Sequence, residues 1–377
     1  MEIEDVTFAE RYGLYGCIQC GKCTGGCAVS LKTDLNSRRL VREALLSDNK
    51  EVLKDLECIW DCTTCATCTL RCPKGIEPSE VIIGMRTLLI EEMELPSTIQ
   101  EALESTYKDG NPWGRARSKR SEWAEDLTVK NVTKGDEAEL LYYVGCTPAY
   151  DPRIQSVARS LVKIFDAAGV DFGTLGNKEN CCGNEIRRMG EVGLFEMMVE
   201  DNLPLFEKYN VQKMVTSSPH CLNTFKNEYE GATFEVQHYT QLLAELIESG
   251  KLKFTKELDN KTITYQDPCF LGKQNKIYDE PRKILESIPG ATFVDFDRAK
   301  ERSLCCEGGG GRMWAEGTGE GERNAETRAH DANEMGADII AVACPFCLLT
   351  LEDAVKLAGY EGKIEVKDIS EIVAELI

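Results

Sequence analysis

The apolar pattern alternates between short runs and longer periodic stretches over most of the chain. Leu140–Thr147 and Thr262–Pro268 read as strands that end at Cys146 and Cys269, and Lys213–Ser217 and Ala337–Ala343 read as two more. Between them, Arg153–Ala168 and Met189–Glu207 carry helical spacing, with Gly169 placed to end the first helix. Strand–helix–strand alternation predicts α/β structure with a parallel sheet, whose loops at the carboxyl ends of the strands hold ligands. Nearer the start, Leu40, Val41, Leu45 and Leu46 recur at helical spacing within Ser37–Ser47.

The alternation occurs twice. Cys146 recurs as Cys269, Cys181-Cys182 as Cys305-Cys306, and Ser218-Pro219-His220-Cys221 as Cys344-Pro345-Phe346-Cys347. Arg188-Met189 also returns, as Arg312-Met313, at nearly the same separation. The period is too long for a solenoid, so two similar domains side by side are expected. The expected organisation is a mainly α-helical N-terminal module over 1–95 and a linker over 96–136. Two pseudo-symmetric α/β domains follow, over 137–258 and 259–377. The linker reading rests on the turn Asn111-Pro112-Trp113-Gly114 and the basic run Arg115, Arg117, Lys119 and Arg120, taken as a solvated surface.

Composition narrows the function classes. Of 377 residues, 42% are hydrophobic and 29% charged, with a net charge of −20. That imbalance argues against nucleic acid and against a polybasic membrane contact. The acidic start is not that of a signal peptide, and the most apolar stretch, Ile339–Leu351, is short and interrupted by Pro345. A soluble cytoplasmic protein without a transmembrane segment is expected.

The chemistry lies in 18 cysteines set against three histidines. Cysteines in CxxC spacings in a large chain that is not secreted favour metal ligation over disulfides. Cys17, Cys20, Cys23 and Cys27 form one CxxCxxCxxxC run; Cys62, Cys65, Cys68 and Cys72, followed by Pro73, form another. This is the spacing of two-cluster ferredoxins, in which the fourth cysteine of each run crosses to the other cluster. The expected cubane [4Fe–4S] ligands are therefore Cys17, Cys20, Cys23 and Cys72 for one cluster, and Cys62, Cys65, Cys68 and Cys27 for the other. Zinc knuckles are the alternative, but they use paired CxxC motifs without the extra cysteines. Cys58 falls outside both runs and reads as a buried spare thiol.

In the repeats the candidate metal ligands are Cys146, Cys181, Cys182 and Cys221 in the first, and Cys269, Cys305, Cys306, Cys344 and Cys347 in the second. Five thiols exceed the need of a cubane or a zinc ion, and adjacent cysteines fit poorly on one regular cube. The second site should be distorted, multi-iron or exchangeable at one ligand. Arg188 and Arg312 could grip an anionic substrate or balance cluster charge. His220 reads as structural or solvent-facing, with a proton-donating role as the alternative. Gly308–Gly311 reads as backbone making room for the cluster, since no phosphate-cradle lysine follows.

Taken together, these motifs resemble the catalytic subunit of heterodisulfide reductase, in the form that fuses the ferredoxin-type subunit to the cysteine-rich subunit. The resemblance implies two cubane clusters, a noncubane [4Fe–4S] cluster in the second repeat and a further iron–sulfur cluster of unspecified type in the first. It makes Cys269, Cys305, Cys306, Cys344 and Cys347 catalytic, splitting a small disulfide such as that of coenzyme M and coenzyme B. Electrons would come from a flavoprotein or other subunit of a larger complex. Two departures matter: Ser218 stands where a ligand cysteine is expected, and Glu307 stands where the motif has glycine, as Gly183 does in the first repeat. The same family includes electron-transfer subunits without a substrate of their own, as in benzoyl-CoA reduction or 2-hydroxy acid oxidation, and that role is the alternative. A zinc-stabilised interaction protein is a third.

Overall fold

The computed structural model describes residues 6–46 and 57–377. Its strands are β1 (Lys130–Asn131), β2 (Leu140–Tyr143), β3 (Phe172–Thr174), β4 (Lys213–Thr216), β5 (Glu235–His238), β6 (Lys261–Tyr265), β7 (Ala291–Phe293), β8 (Ile339–Val342) and β9 (Glu365–Asp368). They form two wholly parallel sheets, ordered β1-β3-β2-β4-β5 and β7-β6-β8-β9. Apart from the added edge strand β1, the second order reproduces the first, which is the duplication read from the cysteines. β2, β6 and β8 end in residues buried on both faces, as parallel strands covered by helices require.

In each sheet the strand order reverses at the centre, between β2 and β4 and between β6 and β8. The crevice beyond the carboxyl ends at such a reversal is where open α/β sheets hold ligands. Cys146 opens the turn after β2 and Cys269 the turn after β6. Helices Pro219–Asn227 and Pro345–Leu357 start just after β4 and β8 with proline in the first turn, which puts Cys221 and Cys347 in those first turns.

Two expected elements are shaped differently. The helix expected over Met189–Glu207 begins at Val192 and runs to Lys208, because Gly190 at φ +101 ends a separate helix, Asn184–Met189, just before it. A Cβ there would lie 2.6 Å from the Thr87 backbone nitrogen, so glycine lets the N-terminal module close against the first repeat. The expected linker 96–136 carries helix Ser97–Asp109 and includes β1, which pairs with β3; it is folded structure attached to the first repeat.

The N-terminal module is helical, as expected. Helix Ser37–Leu46 realises the apolar spacing seen in sequence, with Leu40, Val41 and Ala44 buried; Ser47 lies outside the described residues. Helix Pro78–Glu91 is buried on most of its faces because it packs against helix Ser37–Leu46 on one side and Asn184–Met189 of the first repeat on the other. Among the described residues no helix is long and apolar enough to cross a membrane.

Candidate functional site

Cys17, Cys20, Cys23 and Cys72 surround one small cavity of about 30 Å³. Cys20 is exposed and the other three are half-buried. The loop curls around them through two left-handed residues, Gln19 (φ 54) and Gly21 (φ 76), and Gln19 Nε2 donates to Cys17 Sγ at 3.2 Å. The second run repeats the device at Thr64 (φ 49) and Ala66 (φ 59), with the Thr64 N–H donating to Cys62 Sγ at 3.4 Å. Neither residue is glycine, so both bear the strain of that backbone.

Cys62 and Cys68 are buried, Cys65 is close to them, and Cys27 joins the group through its interaction with all three. Burial pushes the Cys62 thiol up to about 12 and raises Cys68 well above its ordinary value. Buried thiols in this state become ligands only when a metal displaces the proton, and an all-thiol donor set suits iron–sulfur clusters. The structure thus brings Cys17, Cys20, Cys23 and Cys72 together in one group and Cys62, Cys65, Cys68 and Cys27 in another.

The second repeat's five thiols, Cys269, Cys305, Cys306, Cys344 and Cys347, are all buried. Cys347 Sγ donates to Cys306 Sγ at 3.2 Å. Cys305 touches Cys269 and also Cys65 of the N-terminal module, so the two sites meet thiol to thiol. Lys273 is buried beside this junction, its Nζ donating to Thr67 Oγ1 at 2.9 Å and the Ser303 carbonyl at 2.6 Å. Glu307 adopts the left-handed backbone (φ 68) that Gly183 (φ 84) adopts in the first repeat. Its carboxylate accepts from the Asn324 N–H at 3.1 Å, at the start of helix Asn324–Glu334, where a negative charge is favoured.

Cys146, Cys181, Cys182 and Cys221 form a buried chain of contacts in the first repeat. Ser218 precedes helix Pro219–Asn227, and its N–H donates to Thr216 Oγ1 at 3.3 Å. Arg120 is not on the solvated face expected of the basic run. It is buried, ion-paired with Glu179 at 2.7 Å, and lies 3.7 Å from Cys146 Sγ. Glu179 in turn accepts from the Val144 and Gly145 N–H groups at 3.0 and 2.9 Å.

His220 is buried between the repeats and does not face solvent. Its ring stacks on Phe270 at 4.2 Å, and its Nδ1 lies 2.8 Å from Glu185 Oε1. Burial opposes its protonation, but hydrogen bonds to Cys344 and Glu185 more than offset this and push it up to about 9. Arg188 and Arg312 grip no open anion site. Arg188 is buried and pairs with Glu80 of the N-terminal module at 3.1 Å and with Glu228; Arg312 lies 3.6 Å from Asp61 of that module. The recurring arginines thus fasten the module to both repeats. The glycine run serves the same docking. A Cβ on Gly310 (φ +70) would lie 2.6 Å from the Cys62 carbonyl, so the room it makes is for the ferredoxin-like loop.

Sequence spacing missed Arg120, Lys273, Glu185 and Arg86, whose roles arise from contacts between distant segments and leave no local signature. Cys58 is only half-buried, in the turn Glu57–Asp61, and burial raises its thiol.

Residues 13–76 match the 4Fe-4S dicluster domain, and residues 140–226 and 263–352 each match the cysteine-rich domain. The chain is 36% identical over its full length to the probable iron–sulfur-binding oxidoreductase FadF of Bacillus subtilis, covering 61% of that protein. It is 33% identical over 98% of its length to the EtfAB:quinone oxidoreductase of Syntrophomonas wolfei, covering 59% of it. It therefore spans about 60% of the length of these two curated relatives. It is also 32% identical to a subunit of the dihydromethanophenazine:CoB–CoM heterodisulfide reductase of Methanosarcina barkeri, with 100% of this chain and 97% of the relative covered. With a dicluster domain ahead of two cysteine-rich domains and this end-to-end match, the chain belongs to the same iron–sulfur protein family as that heterodisulfide reductase polypeptide.

Proposed function

We propose that the chain reduces a small disulfide at the five-thiol site of the second repeat, with electrons that enter at Cys17, Cys20, Cys23 and Cys72 and pass through Cys62, Cys65, Cys68 and Cys27. The observation that supports this most is the contact between Cys65 and Cys305, which joins the module's thiols to the five of the second repeat. Bound there, iron–sulfur clusters supply one-electron acceptance and donation: cubane in the N-terminal module, noncubane in the second repeat, and a further cluster in the first. The chain's own residues hold the sites together, shield them from water and place charged groups beside them. Lys273 sits at the junction, and Arg120, paired with Glu179, lies 3.7 Å from Cys146 Sγ. Electrons would be delivered by a flavoprotein or another donor protein of a larger complex.

A pure relay without a substrate of its own is the second reading, favoured by the likeness to a quinone oxidoreductase. Anaerobic protein is reduced and offered the disulfide of coenzyme M and coenzyme B. Thiol release that is lost in Cys269→Ala, with the N-terminal clusters' visible absorption retained, supports the enzyme. Reduction of the clusters without thiol release supports the relay.

A further inference from the structure

The small cavity around Cys17, Cys20, Cys23 and Cys72 adjoins an open groove of about 710 Å³, the two sharing Gln19 and Arg38. Four cations line the pair: Arg38, Arg39, Arg42 and Lys74. Among the described lining residues the one acid is Glu43, bridged to Arg39 at 2.6 Å. This face is therefore cationic on a chain whose net charge is −20. Ile18, 62% exposed, lines the cavity with the exposed Cys20, and Leu46, 73% exposed, lines the groove. Large apolar side chains exposed inside a charged rim mark a protein contact. The same place brings the N-terminal thiols nearest to solvent, where an electron can cross from another molecule.

We propose that this face docks an acidic redox protein, which passes one electron at a time to the site of Cys17, Cys20, Cys23 and Cys72. The inference rests on the entry site assigned above and adds the chemistry of the partner. Opposite charge raises the association rate, and salt weakens that attraction. In each transfer the partner loses one electron and the chain gains one, with no bond made or broken.

The test uses the anaerobic holoprotein in stopped flow with two donors: a reduced plant-type ferredoxin, which is acidic, and the methyl viologen radical cation, which is small and needs no docking face. The variant is Arg39→Glu with Arg42→Glu, both exposed and neither lining the thiol cavity. The ferredoxin rate should fall steeply with added salt, and at low salt the variant should be slower by about tenfold or more. Its rate with methyl viologen and its visible absorption should match the wild type. A ferredoxin rate indifferent to salt and to the substitutions overturns the proposal. Variant-sensitive binding to phosphatidylglycerol vesicles with an unchanged ferredoxin rate also overturns it, assigning the face to a lipid surface. If methyl viologen fails to reduce even the wild type, the entry-site reading has failed, and the proposal with it.

Discussion

Arg86 offers the sharpest test of how the N-terminal module is attached. The side chain is fully buried in helix Pro78–Glu91. Its guanidinium donates to four carbonyls: Ile59 and Cys62 in the module at 2.8 Å, Arg188 of the first repeat at 2.8 Å, and Gly310 of the second at 2.8 Å. It also lies 5.0 Å from the Trp60 ring. Burial lowers its pKa to about 10, so it keeps its charge at neutral pH. In Arg86→Met the four carbonyls lose their donor. A buried acceptor left unpaired costs about 1 kcal/mol or more, and water entering the gap recovers part of this, so a total loss of roughly 3–5 kcal/mol is expected. Lysine keeps the charge but not the planar fork, so Arg86→Lys should recover less than half of it. Denaturant titration followed through the visible absorption reads the module, and trypsin susceptibility reads its release from the repeats. An Arg86→Met protein within about 1 kcal/mol of wild type, and equally resistant to trypsin, would refute the reasoning.

Two further outcomes follow from the packing. Asp368 is buried, accepts from Tyr239 Oη at 2.7 Å across the two repeats, and has one oxygen without a partner. Burial raises its pKa from 3.8 to about 7. The folded chain therefore holds a proton there that the unfolded chain releases. The associated stability is complete below about pH 4 and is lost as pH rises through about 7, amounting to about 4 kcal/mol at most. Asp368→Asn should flatten the pH dependence of the denaturation midpoint between about pH 4 and 7, and an unchanged slope would contradict the assignment. Gly310→Ala should loosen the module, because its Cβ would meet the Cys62 carbonyl in a left-handed backbone; faster proteolysis between module and repeats is the expected readout, and wild-type resistance the contrary one.

The duplication was legible because paired cysteines are rare enough to mark equivalent positions in two sheets with the same strand order. Their place at the carboxyl ends of strands followed from the alternation, and Pro345 and Pro219 begin their helices as the first-turn preference for proline implies. The contacts that assemble the parts were not legible. Arg120 has the same character as its exposed neighbours in the basic run, and nothing local shows that it turns inward to Glu179 and Cys146. Arg188 and Arg312 recur beside the double cysteines because each meets an acid of the N-terminal module, Glu80 or Asp61, segments far away in the chain. Likewise, the glycine run follows a candidate ligand in sequence, yet its room serves the Cys62 loop.

The central claim is that these thiols carry iron in a connected series ending in the paired repeats. Iron and acid-labile sulfide counted per chain in protein purified without oxygen test it most directly. The account predicts a brown protein with at least about twelve iron atoms and a matching amount of sulfide. A colourless protein holding zinc in place of iron and sulfide would contradict it.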